Sequence, residues 1–230
     1  MTKTGDPECQ RIRSRGTKLD SVQGTTMLNA ATQTHSINRA TLWVDRVGSF
    51  LLCLKPRVRI GGPVENGSAA EVSLMANLSR HHATIVREGE TYLLTAHGPT
   101  SLSGRNVSTP VLLHDGQEMT LGTNVRLRFR IPSPMSNTAR LEFVSDHRPQ
   151  QSMNSVILMD ETCLLGPGDE HHVPCAVWKE PVVLFKREET FWCKARSGIS
   201  VSESSHSSSV ELTNGAVVTA NDGRFRLEWL

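Results

Sequence analysis

The sequence predicts an all-β protein, two tandem antiparallel β-sandwiches after a disordered N-terminal tail, with boundaries at 1–37, 38–136 and 138–230. Three observations predict this. Short apolar runs alternate with turn-forming residues, no stretch keeps a helical apolar period for three turns, and the second half repeats the pattern of the first. Many short strands at regular spacing, with no helices between them, favour a sandwich or barrel.

Residues 1–36 mix Thr, Ser, Gln, Asn and Arg with neither a period of 2 nor one of 3.6. That is the composition of a disordered tail, whose Thr25, Thr26, Thr32 and Thr34 are candidate phosphorylation sites. Strands are then expected over 42–45, 50–54, 57–60, 83–87, 91–95, 111–113, 118–121 and 125–131. Gly48, Gly61-Gly62-Pro63, Glu88-Gly89-Glu90, Asp115-Gly116 and Gly122-Thr123-Asn124 break the runs where the chain must reverse. In the last strand Val125, Leu127, Phe129 and Ile131 share one face, and Arg126, Arg128 and Arg130 share the other. The arginines read as a solvated outer face.

The repeat is explicit. Ala83 to Ala96 aligns without a gap on Val182 to Ala195, Thr190 standing 99 residues after Thr91. The same shift places Asn214-Gly215 on Asp115-Gly116, so two hairpins with matching turn chemistry recur in one register. Leu51 to Gly61 matches Val156 to Gly166 in apolar pattern, and Leu42 and Val44 match Leu141 and Phe143. The two copies join near residues 134–139.

Composition narrows the function. A formal net charge of +2 is no nucleic-acid footprint, and no run approaches the roughly 18 apolar residues that span a membrane. Residues 1–15 carry charges and no apolar h-region, so no signal peptide is expected and the sequons at Asn66, Asn77 and Asn106 read as accidents. Five cysteines, Cys9, Cys53, Cys163, Cys175 and Cys193, never form C-x-x-C. Their odd number and spacing suit free, mostly buried thiols in a reducing cytoplasm.

Ser79-Arg80-His81-His82-Ala83 sits immediately before an expected strand. Upstream lies Ile60-Gly61-Gly62; downstream come Thr100-Ser101-Leu102-Ser103-Gly104 and the run from Leu113 to Gly122, with Asp115-Gly116 inside it. In this order the elements resemble the forkhead-associated (FHA) domain family over residues 40–131, whose pattern runs Ile-Gly-Arg, Ser-Arg-x-His-Ala, a Ser/Thr-x-x-Asn-Gly-like loop and a closing Gly motif. The resemblance implies a β-sandwich of the FHA/SMAD-like kind. It implies a non-enzymatic module, without cofactor, that binds a threonine-phosphorylated protein or Ser/Thr kinase through loops at one end, and neither nucleic acid nor membrane. Carried over, Ser79 is the phosphate hydroxyl, Arg80 a neighbouring donor and His82 the brace of the loop. Gly61, Gly116 and Gly122 are the structural glycines, and Thr100 opens the second recognition loop. Two positions depart from the family: Gly62 stands where it has a phosphate-binding arginine, and Gly98 falls where it has the asparagine that holds the peptide backbone. Losing an arginine–phosphate contact removes about 1.5–3 kcal/mol, which Arg80, helped by Arg105 or Arg59, is expected to replace in part. In the second copy Trp178, Lys179 and Pro181 occupy the places of Ser79, Arg80 and His82, so no phosphate binding is expected there. The alternative is a phosphate-independent assembly scaffold.

Other constellations carry less. His81-His82 and His171-His172 are adjacent pairs whose rings point to opposite faces of a strand, a poor chelate, and read as surface or loop histidines, His82 apart. Gly61 to Gly67 lacks the Gly-Lys-Ser/Thr of a nucleotide loop, and the Ser-rich run 202–209, with His206, has no nucleophile elbow and reads as a flexible loop.

Overall fold

The computed structural model describes residues 37–230 except 66–69, 189, 203, 207 and 221, and the tail expected over 1–37, with its four threonines and Cys9, lies outside that range but for Ile37. Among the described residues there are 22 strands and no helix. One five-stranded sheet, in the order β4-β3-β5-β6-β9, comprises β3 (Arg57–Gly61), β4 (Val72–Ser73), β5 (Ala83–Glu88), β6 (Thr91–Ala96) and β9 (Val111–Leu113). A second, in the order β15-β14-β16-β17-β20, comprises β14 (Thr162–Gly166), β15 (Val173–Pro174), β16 (Val182–Arg187), β17 (Thr190–Ala195) and β20 (Ser209–Leu212).

A twelve-stranded sheet joins them. From the first half it takes β1 (Arg39–Val44), β2 (Gly48–Cys53), β7 (Thr100–Leu102), β8 (Arg105–Asn106), β10 (Glu118–Leu121) and β11 (Val125–Arg130). From the second half come β12 (Ala139–Phe143), β13 (Ser155–Leu158), β18 (Ile199–Val201), β19 (Ser204–His206), β21 (Val217–Ala220) and β22 (Gly223–Trp229). The order is β19-β18-β21-β22-β1-β2-β13-β12-β11-β10-β7-β8. Adding 11 to a strand's number gives its counterpart, so the order reads the same from both ends once β1 and β2 are set against β12 and β13.

The centre of this sheet explains the rest. β2 and β13 pair in parallel, Leu51 beside Val156 and Leu52 beside Ile157, whereas every other pairing in the sheet is antiparallel. A pseudo-two-fold between parallel neighbours runs along the strands and exchanges the two faces of the sheet. The cores bear this out. Leu51, Cys53, Val156 and Leu158 point into one apolar cluster, with Tyr92, Met119 and Phe129. Phe50, Leu52 and Ile157 point into the other, with Leu184, Phe191 and Phe225. The two central strands are therefore buried on both faces, which is why both read as unbroken apolar runs.

The halves also exchange hairpins. Ala139, Leu141, Val156 and Leu158, on β12 and β13, complete the core that holds β3 to β11. Ala40, Leu42, Phe50 and Leu52, on β1 and β2, complete the core of the second half. Neither sandwich is thus one continuous stretch of chain, and the expected segments 38–136 and 138–230 do not coincide with the packed bodies. The three-residue links 54–56 and 159–161 carry each central strand into the sandwich of its own half.

Other expectations fare differently. The paired turns match atom for atom: Asp115 Oδ1 accepts from Ile131 N at 2.7 Å and Asn214 Oδ1 from Trp229 N at 2.8 Å, with Gly116 and Gly215 at φ of 81° and 77°. Arg126, Arg128 and Arg130 form the outer face as read, paired with Glu118, Glu142 and Asp115. The Ser-rich run is corrected: β19 takes residues 204–206 and β20 begins at Ser209, each the edge strand of its sheet. The pair His171-His172 is also corrected. Both are buried, with Arg140 donating to their carbonyl oxygens at 3.3 and 3.1 Å and Leu164 N donating to His172 Nδ1 at 2.9 Å.

Candidate functional site

The site lies where β3 ends, β5 begins, β6 ends and β10 turns into β11. Two tight i to i−2 bonds, Ala76 N to Leu74 O and Leu78 N to Ala76 O, compress the segment before Ser79 so that it lies flat on the end of β3. Gly62 N then donates to Ser79 O at 3.0 Å. No side chain fits beneath this contact. A Cβ on Gly61 would stand 1.9 Å from Arg80 O, and one on Gly62 would stand 2.4 Å from Leu78 O. The lack of a side chain at position 62 and the closeness of the loop are one feature.

His82 ties the loops together from inside. It is 2% exposed. Ser79 N approaches its Nδ1 at 3.4 Å, while its Nε2 lies 2.9 Å from Pro99 O and 3.1 Å from Gly122 N. Gly122 N already donates to Pro99 O at 2.8 Å, so one tautomer serves the network: Nε2–H donates to Pro99 O and Nδ1 accepts from Ser79 N–H. The His82 carbonyl accepts from His97 N and Gly98 N, both at 2.9 Å, and the ring fills the space a Cβ on Gly98 would need, 2.6 Å away. An asparagine at 98 would have to displace this ring.

Above the brace, Ser79 and Arg80 are exposed. Among the described residues neither the Ser79 hydroxyl nor the Arg80 guanidinium has a hydrogen-bond partner. Arg80 lines a shallow cleft with Pro63, Val64 and Glu65. Thr100 is buried at the start of β7, its hydroxyl donating to Gly98 O at 3.0 Å, and so shapes the 97–100 turn from below.

Of the residues expected to assist, one is engaged by a carboxylate and one stands at the far end of its hairpin. Arg59 Nη2 is 2.8 Å from Glu71 Oε1, and its backbone N donates to Glu71 Oε2 at 2.8 Å. Burial alone would raise the Glu71 carboxyl, but hydrogen bonds from Arg59 outweigh it and hold the carboxyl below the ordinary range. The same hydrogen bond raises the Arg59 guanidinium above its ordinary value, so this cation is already satisfied. Arg105 follows the Ser103-Gly104 turn at the far end of β7, about 7 Å of strand from Thr100, at the opposite end of the hairpin from the brace. Gly116 sits in the turn before β10, at the other end of that strand from Gly122, and its role is confined to the turn.

Sequence reasoning missed Glu71, and it read His81 only as a surface or loop histidine. His81 is exposed beside Arg80, its Nε2 3.4 Å from Arg59 Nη1. An exposed histidine after Ser-Arg was the available signal; nothing in the sequence singles out Glu71.

The equivalent end of the second sandwich is filled. Trp178 is buried, and a Cβ on Gly223 would lie 2.4 Å from its indole, so the ring occupies the space over the turn. Lys179 is 3.8 Å from Asp222.

No family model and no curated protein matches the chain. Solved structures do. The complex of Mycobacterium tuberculosis EmbR with a low-affinity phosphopeptide is 24% identical over 40% of this chain, at a TM-score of 0.31, and the chain spans about a quarter of EmbR, 24% of its length. The FHA domain of FhaA complexed with the intracellular domain of Rv3910 is 26% identical over 36% of this chain and 91% of its own, at a TM-score of 0.26. The N-terminal FHA domain of EssC, a component of the bacterial type VII secretion apparatus, is 14% identical over 82% of this chain and 92% of its own, at 0.24. The FHA domain of an Arabidopsis thaliana hypothetical protein is 18% identical over 48% of this chain and 89% of its own, at 0.30.

Proposed function

We propose that the chain is a non-enzymatic interaction module that binds phosphothreonine segments of partner proteins at the Ser79–Arg80 loop, as an adaptor in Ser/Thr kinase signalling. The observation that carries this reading is the braced loop. The His82 ring holds the Ser79 backbone, while the neighbouring hydroxyl and guanidinium stand exposed and, among the described residues, unpaired. A dianion is costly to desolvate and needs convergent, preorganised donors, which a loop tip on a rigid sheet supplies. Four described cysteines, all free and buried, suit the reducing cytoplasm in which such signalling operates.

The test is a titration of a phosphothreonine peptide library against the protein and against Ser79→Ala. Loss of a hydrogen bond to a charged group predicts a roughly tenfold to hundredfold weaker affinity. Equal binding by both proteins, or equal binding of unphosphorylated peptides, would end this reading.

A second reading rests on Gly62. With no arginine there and no room for one, the same loops serve a phosphate-independent assembly scaffold. It predicts partners that remain bound after phosphatase treatment, where the first reading predicts their release.

A further inference from the structure

The pseudo-two-fold makes the two outer faces of the twelve-stranded sheet directly comparable, and their charges are arranged differently. On the face of β10, β11 and β12, Arg128 stands between Glu118 and Glu142 in register, with Arg126 two residues along. Glu118 reaches Arg126 at 3.4 Å and Arg128 at 3.6 Å, and Glu142 reaches Arg128 at 3.8 Å. This face neutralises itself.

On the counterpart face of β21, β22 and β1 the arginines recur as Arg224 and Arg226. Arg226 stands between Val217 and Trp43 in the same register. Both carboxylates have therefore been replaced, Glu118 by Val217 and Glu142 by Trp43. Arg226 turns along its own strand to Glu228 at 2.7 Å, and Trp43 Nε1 donates to Glu228 Oε2 at 2.8 Å. Arg224 is exposed and has no carboxylate within ion-pair distance among the described residues.

The replacement opens a cleft of about 700 Å³ lined by Trp43, Arg46, Val217, Arg224 and Arg226. Trp43 is 43% exposed, a large aromatic left in water at its wall. Arg46, at the rim, occupies the left-handed region at φ 59°, a conformation that favours Gly or Asn, yet a long cation stands there.

We propose that this cleft is a second binding site, distinct from the Ser79 loop, for an extended acidic peptide segment of a partner protein. Its carboxylates pair with Arg224 and with Arg46 at the rim, and an intervening apolar side chain covers Trp43 and Val217. A carboxylate matches a guanidinium fork, and an exposed tryptophan is a frequent anchor at interfaces. Asp45 lines the cleft and Glu228 sits against Trp43 and Arg226, so the occupant is a segment whose carboxylates are spaced apart by an apolar residue, not a nucleic acid strand with its continuous line of phosphates.

The test uses the whole chain and a fluorescein-labelled peptide of alternating Glu and Leu, read by anisotropy at low salt, with a Lys–Leu peptide and a single-stranded oligo-dT as comparisons. Trp43→Glu combined with Val217→Glu rebuilds the carboxylates of the sister face at surface positions, so the fold should tolerate it. Its thermal transition is measured alongside. The expected result is selective binding of the Glu–Leu peptide, weakened at least tenfold in this variant and in Arg224→Glu, and unchanged in Ser79→Ala. Undiminished binding by the double variant, equal binding of the Lys–Leu peptide, or tighter binding of oligo-dT would overturn the proposal. The Ser79→Ala arm separates its failure from that of the phosphopeptide reading.

Discussion

The carbonyl oxygen of Leu78 lies 2.4 Å from where a Cβ on Gly62 would stand, so the end of β3 and the Ser79 loop share a space that admits only glycine. The neighbour is backbone, tied down by Gly62 N to Ser79 O, and cannot give way as a side-chain tip would. Gly62→Arg, which installs the arginine of the FHA pattern that the loop resembles, is therefore expected to destabilise the protein by about 2 kcal/mol and to weaken the proposed phosphopeptide binding rather than improve it. Thermal unfolding and peptide titration of the variant check both expectations. Unchanged stability with stronger binding would show that the loop yields easily.

The His82 brace makes a second, separable prediction. His82→Ala leaves Ser79 N–H without its partner and empties the space under Gly98, a combined loss of roughly 2–4 kcal/mol. Pro99 O keeps its bond from Gly122 N, so the 97–100 turn should survive better than the Ser79 loop. Hydrogen exchange reports this directly: amides after Leu78 should lose protection first, while those of β7 change least.

The exchanged hairpins predict that mutations act on the sandwich opposite to their place in the chain. Leu141, on β12, is buried among the side chains of the first core, and Leu42, on β1, among those of the second. Each change to alanine should cost about 2–5 kcal/mol. Leu141→Ala is expected to raise exchange in β10 and β11 and to weaken binding at the Ser79 loop. Leu42→Ala should raise exchange in β21 and β22 and leave the Ser79 loop intact. The reverse pattern would mean that each half closes on its own hairpin.

These particulars show what the sequence discloses and what it hides. Alternation along Val125 to Arg130, turn residues at Gly116 and Gly215, and the 99-residue register all follow from local chemistry, and all are legible. The braced loop was legible too, because Ser-Arg-x-His-Ala is a short motif. Which hairpin completes which sandwich was not, since Leu42 and Leu141 satisfy either core equally well in pattern. One clue was present: Phe50 to Leu54 and Val156 to Met159 are apolar at every position, more than a strand with one wet face requires. The pairing of Arg59 with Glu71 was hidden for another reason. Glu71 reaches β3 from the segment before β4, and no sequence spacing marks that approach.

The buried His172 predicts a pH dependence of stability. Burial pushes its imidazole down to about 4, aided by the adjacent Arg140, whose guanidinium donates to the carbonyl oxygens of His171 and His172. Unfolding restores the ordinary value of about 6.5. Between these values the unfolded chain binds more protons than the folded one, so stability is full above about pH 6.5 and falls as the pH drops towards 4. The shift corresponds to about 3 kcal/mol at most. Carboxyls held below their ordinary range, those of Glu71 and Asp115, add a further loss beneath that window. His172→Leu removes the titrating group but keeps the apolar contacts, and it frees Leu164 N from its partner. The variant should therefore be less stable at pH 7, yet lose less than the parent between pH 6.5 and 4. Denaturant unfolding at intervals across that range gives both curves, and parallel slopes would assign the pH dependence to another group.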